Sequence, residues 1–178
     1  TKVFLISQII WISGQIYPIK EICELAKKHN ILTIVDAAQS FSHIPIDVKD
    51  LGCDYLGTSL HKWAAAPLGT GFLYIKRDLI PKTFPLFAHY IHKPDDENIE
   101  KFENFGSITP VFSGAIESLG FWNKLGFDLK VKRMQYLKMY WTEKLKQNPK
   151  IEIVTNTNEK YSCGIAFFKV KGKSSTTI

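Results

Sequence analysis

The sequence predicts an α/β fold: a mostly parallel mixed sheet flanked by helices, followed by the start of a smaller α+β unit. Three observations predict it. A strand, a helix and a second strand follow one another within about 35 residues, the pattern of a βαβ unit whose strands run parallel. Two more short apolar strands come next. Two long helical patterns then lead into a further pair of strands. With 178 residues, 45% of them hydrophobic, the chain is long enough for one sizeable core.

Each element has its own signal. Val3 to Ile6 is short, apolar and β-branched, as a buried strand is. Ser13-Gly14 breaks it. Pro18 opens a helix, where a missing N–H costs nothing. Ile19, Ile22, Cys23 and Ala26 then share one helical face, and His29-Asn30 ends it. Ile31 to Val35 is a second buried strand that stops at Asp36. Asp54 to Ser59 and Gly71 to Ile75 are the third and fourth strands, with Gly69 and Gly71 as turn formers between them. Residues 81–109 are irregular, with Pro81, Pro85, Pro94 and the acidic run Asp95-Asp96-Glu97. Helical patterning runs from Val111 to Lys124, Gly126 interrupts it, and a second helix runs from Asp128 to Gln147. Val131, Met134, Lys138, Trp141 and Leu145 form its inward stripe, and Pro149 stops it. Ile151 to Val154 and Gly164 to Val170 read as strands of the smaller unit. The expected division is residues 1–148 and 149–178.

Composition excludes several functions. The net charge is +6, but its basic residues are spread out, with only modest clusters such as Lys130, Lys132 and Arg133, taken here as solvated surface. No nucleic-acid partner is expected. Val3 to Ile12 is far short of the roughly 20 apolar residues of a membrane helix, so no membrane partner is expected. The three cysteines form no CxxC pair and the five histidines no HExxH motif, so neither a disulfide framework nor a metal site follows. Cys163 lies in an apolar strand and reads as core. A cytoplasmic location is expected. The first residue is Thr1, and the last five close no element, which suggests a piece of a longer protein whose leader would lie upstream.

Chemistry-bearing residues gather at strand ends. Asp36-Ala37-Ala38-Gln39 follows the second strand, and Ser59-Leu60-His61-Lys62 closes the third, with Asp36 and Lys62 separated by 26 residues. In open α/β sheets ligands bind beyond the carboxyl ends of parallel strands. A third stretch, Phe102 to Ser107, completes the set. Singly, a strand-end Asp is a cap and such a Lys is solvated. The combination and its order carry the signal.

The stretch ILTIVDAAQSFSHIPIDVKDLGCDYLGTSLHKWAAAPLGTGFLYI, within residues 1–110, resembles the large domain of the class V aminotransferase family. These are fold-type I enzymes that use pyridoxal 5'-phosphate (PLP). Cysteine desulfurases and isopenicillin-N-epimerase-like proteins are among them. Residues 111–178 resemble the later helices and the start of the small domain. The resemblance implies the large domain of a PLP-dependent transferase, present in part. It assigns Lys62 as the Schiff-base lysine and general acid/base, Asp36 to the pyridinium nitrogen, Gln39 to the phenolic oxygen, and Ser59 and His61 to the phosphate. Ser107 stands where the family usually has Thr, a hydroxyl that reaches the partner subunit's phosphate, which implies a homodimer. An amino acid is the implied substrate, by transamination, epimerisation or β-elimination (C–S lysis). The alternative is an inactive fragment serving as a dimerisation or scaffold module.

Departures from the family's pattern lie near the first strand. Many desulfurases have His where Gln8 stands and Asn where Trp11 stands, and an indole can only donate. The pattern resembles the isopenicillin-N-epimerase-like branch more closely. The phosphate-cradling turn and ring-stacking group are expected upstream of Thr1, and the carboxylate-clamping Arg downstream of Ile178.

Overall fold

The computed structural model describes residues 1–103 and 109–174. Strands β1 (Val3–Ser7), β2 (Leu32–Asp36), β3 (Tyr55–Ser59) and β4 (Gly71–Ile75) form one sheet in the order β1-β2-β3-β4. The first three run parallel and β4 runs antiparallel to β3. The expected mixed, mostly parallel sheet is therefore present.

Helix α1 (Ile19–Lys28) is the crossover between β1 and β2. It buries Ile19, Cys23 and Ala26, with Ile22 half-buried, as its apolar spacing requires. Ile19 and Cys23 pack with Val35, Ala37, Cys53 and Leu56 in one core cluster. Burial of side chains such as Ile19, Val35 and Leu56 contributes about 1.5–3 kcal/mol each. Glu21 in the first turn and Lys27 and Lys28 in the last complement the helix dipole.

A one-turn helix α2 (Val48–Leu51) precedes β3. Asp47 caps it by accepting from the Lys49 and Asp50 amides, and Gly52 ends it at φ 68°. The helix is too short for any apolar period to reveal it in the sequence. Residues 81–103 are not wholly irregular. Two 3-10 turns, Arg77–Lys82 and Ile99–Phe102, frame them.

Helices α3 (Thr109–Leu125) and α4 (Phe127–Lys146) pack on each other, with Gly126 at φ 93° between them. A separate antiparallel pair follows, β5 (Ile151–Ile153) with β6 (Phe168–Val170).

Three expectations need correction. The strand predicted over Gly164–Val170 is regular only over Phe168–Val170. Its earlier half is held by side chains instead: Gly164 N–H donates to His43, and Phe167 N–H donates to Thr155 Oγ1. The first strand is not buried, since Leu5 is 68% exposed, because β1 stands at the sheet's edge. Lys130 is not solvated surface; it is 8% exposed.

Candidate active site

The site begins with three polar residues at the ends of three parallel strands: Ser7, Asp36 and Ser59. Ser7 lies opposite Asp36 in the register, and Asp36 opposite Gly57. The Asp36 carboxylate accepts from Ser7 Oγ at 3.2 Å and from the Ala38 amide at 2.9 Å. These two donors hold its orientation and leave the group exposed at the sheet's carboxyl end.

Gln39 follows three residues later, in the turn after β2. Its Oε1 accepts from Trp63 Nε1 at 2.9 Å. Trp63 is the residue next to Lys62, so this bond joins the loops beyond β2 and β3. The Gln39 carbonyl accepts from His43 Nδ1 at 3.0 Å. A carbonyl can only accept, so Nδ1 carries the proton.

The loop bearing Lys62 is tightly held. Ala66 N–H donates to Leu60 O, and Ala65, at φ 57°, donates to Lys62 O. The Ala64 carbonyl accepts from Ser118 and from Trp122 Nε1 of α3. Lys130 of α4 donates to Ser42 Oγ at 2.8 Å and to the Trp63 carbonyl, with its ammonium 3.7 Å from the Trp122 ring centre. Burial lowers the Lys130 pKa to about 8. The Lys62 ammonium itself is exposed and makes no hydrogen bond or ion pair among the described residues.

Gly71, opposite Ser59 in the antiparallel pair, lets the start of β4 lie close against the end of β3. A Cβ there would lie 2.5 Å from the Thr58 carbonyl oxygen. Two side-chain atoms at the end of β3 and in the loop after it are buried with no hydrogen-bond partner among the described residues: Ser59 Oγ and His61 Nδ1. Gln8 Oε1, beyond the end of β1, is a third. An unsatisfied buried polar atom costs about 1–3 kcal/mol, so such a group implies a partner that the described residues do not supply. Phosphate oxygens would satisfy the Ser59 hydroxyl and a protonated His61 nitrogen. Ser59 and His61 therefore fit the phosphate of a phosphorylated cofactor.

The structure brings Asp36, Gln39, Ser59, His61 and Lys62 to one end of the sheet and its loops. Ser107 lies outside the described residues. A cavity of about 490 Å³ adjoins Lys62, lined by Trp63, Trp122, Lys130, Arg133 and others. Its lining includes none of Asp36, Gln39, Ser59 or His61, so the strand ends rather than this cavity mark the candidate site. No group of three or more potential metal ligands occurs among the described residues. Sequence reasoning missed Trp63, His43 and Lys130. An aromatic beside the key lysine was the only signal available for Trp63, and the other two had none.

Known proteins resemble this chain over most of its length. A probable cysteine desulfurase of Borreliella burgdorferi is 35% identical over 94% of this chain. An isopenicillin N epimerase of Amycolatopsis lactamdurans is 35% identical over 60% of it. The chain spans 42% and 27% of those two proteins. Among solved structures, the apo cysteine desulfurase of Thermococcus onnurineus NA1 matches 97% of this chain and 45% of its own, with TM-score 0.81 and 24% identity. The cystine C-S lyase C-DES, in complex with its product cysteine persulfide, matches 96% and 48%, with TM-score 0.83 and 24% identity. At that identity the structural likeness concerns the fold alone. The model of the aminotransferase class-V family matches residues 1–178 throughout, and the chain belongs to that family.

Proposed function

We propose that this chain carries the cofactor-binding core of a PLP-dependent enzyme that acts on an amino acid, with Lys62 as the covalent anchor and general acid/base. The carrying observation is the pair of buried atoms Ser59 Oγ and His61 Nδ1, without a hydrogen-bond partner among the described residues, in the strand and loop that lead to Lys62. They are phosphate-binding groups in this reading, with Ser107 as a further one. When bound, PLP supplies an electron sink for charge developing at the substrate's α-carbon.

The chain's own residues prepare for that chemistry. Asp36, steadied by Ser7 and the Ala38 amide, would pair with the ring nitrogen and favour its protonated form. Gln39 offers hydrogen bonds to the phenolic oxygen. Lys62 has no competing ion pair among the described residues, so its amine is available to hold or move a proton. The names of the relatives support C–S lysis or epimerisation, and transamination fits the same residues.

The site is shared between two copies in this reading, because the Ser107 hydroxyl would serve the partner subunit. Residues 149–178 begin a second unit. The three buried free thiols, Cys23, Cys53 and Cys163, support a cytoplasmic setting.

Borohydride reduction of the PLP-treated protein, followed by peptide mass mapping, tests the anchor. The cofactor mass is expected on the peptide containing Lys62 and is expected to vanish in a folded Lys62→Ala variant. Its appearance on another lysine, or its absence from the folded parent protein, overturns the reading.

A further inference from the structure

Gln39 carries two different hydrogen-bonding groups on one planar amide, and which of them a ligand meets depends on which way the amide is turned. The structure contains a device that sets this. Trp63 Nε1–H lies 2.9 Å from the Gln39 side chain. An indole nitrogen is a donor only, so the amide atom it meets must be the oxygen. The Gln39 NH₂ is left without a hydrogen bond among the described residues.

The indole is itself held. His43 stacks on Trp63 with ring centres 3.7 Å apart and an interplanar angle of 30°. His43 Nδ1–H donates to the Gln39 carbonyl, and its Nε2 accepts from Gly164 N–H at 2.8 Å. Both ring nitrogens are thus committed, which fixes the ring's rotation. The Trp63 carbonyl accepts from Lys130 on the other side. Gly164 is required at this contact, because a Cβ there would lie 2.9 Å from His43 Nε2 and 3.1 Å from the Met134 Cβ.

We propose that Trp63 is a positioning residue: its indole N–H holds the Gln39 oxygen, so that Gln39 meets the cofactor's ring oxygen only as a donor, and His43 keeps the indole in place. This rests on the reading of Gln39 as the phenolic-oxygen contact. Released from Trp63, the amide turns freely and presents its oxygen to another oxygen for part of the time, which weakens the contact. Lys62 gains from the same bond, since its neighbour is tied to the loop beyond β2.

Nuclear magnetic resonance of the full protein, without and with added PLP, tests this. The Trp63 indole signal is the one missing in Trp63→Phe, a variant that keeps an aromatic ring for His43 to stack on. In the cofactor-free Gln39→Leu variant that indole proton is expected to shift upfield and to exchange with solvent roughly tenfold faster, the size of one net hydrogen bond. With PLP bound, Trp63→Phe is expected to raise the midpoint of the cofactor's spectral pH titration by about one pH unit, because a donor to the ring oxygen favours its anionic form. An indole signal unmoved by Gln39→Leu overturns the proposal, and if Trp63→Phe fails to fold the signal is assigned instead by its through-space contact with the stacked His43 ring. So does an unmoved midpoint in a folded Trp63→Phe that still carries PLP on Lys62. Failure of the parent protein to take up PLP, with the indole response intact, instead sinks the proposed function and leaves the hydrogen bond standing.

Discussion

His43 is 1% exposed, with one ring nitrogen donating to Gln39 and the other accepting from Gly164. That arrangement requires a neutral ring. Burial lowers its pKa to about 4, and the nearby Lys130 charge acts in the same direction. The unfolded chain protonates this histidine near pH 6.5, well above the folded value. Between those two values the unfolded state binds more protons, so stability falls as pH drops from 6.5 towards 4. The full difference is roughly 3 kcal/mol. Urea midpoints measured across that range should fall in the parent protein, and His43→Gln should flatten the fall. An unchanged slope would show that His43 is not held neutral. Asp36 and Lys62 could be placed at and just beyond strand ends because those ends follow from local pattern. His43 could not be placed in this way, since its partner Gly164 lies 121 residues away in the chain.

Helix α4 repeats the lesson one level up. Its inward stripe was readable from spacing: Lys138 is buried and Val131, Met134, Trp141 and Leu145 are half-buried. Lys130 was misread, because a lysine at a helix start is ordinarily solvated and nothing local reveals Ser42, 88 residues earlier. α4 uses this buried ammonium to hold the loop after Lys62 from behind. The folded pKa of about 8 lies below the unfolded value of 10.5, so the unfolded chain binds more protons between them. Stability should therefore rise as pH increases from 8 to 10.5, once the other groups are subtracted. Urea titrations of the parent and Lys130→Met at both ends of that range check this. The same rise in both would remove Lys130 as its cause. β6 shows the opposite limit. A continuous apolar run predicted a longer strand, but a glycine pinned by His43 and an amide taken by Thr155 spend those backbone groups elsewhere.

At the scale of the molecule, the sheet ends on both sides in strands with one neighbour each. Val3, Phe4 and Leu5 on β1, and Phe72 and Leu73 on β4, are all 40% exposed or more. Unpaired apolar edges are templates for association. The chain of residues 1–178 alone should form assemblies at high concentration, and Leu5→Lys should reduce their mean mass in light scattering. An unchanged mass would mean that the β1 edge is not the contact. No helix among the described residues is long and apolar enough to cross a membrane.

Local chemistry was sufficient for the four strands of the main sheet, the crossover helix, the two long helices and the strand ends near which Asp36 and Lys62 stand. Periodicity, glycines and proline act over a few residues, and the parallel order follows from a crossover that must bury one helical face. The links among Gln39, Trp63, His43 and Lys130 were beyond that reach. They depend on which distant backbone groups come within about 3 Å after folding, a property of packing that no local window contains. The edge position of β1 belongs with them, because an apolar strand has the same local sequence whether one neighbour flanks it or two.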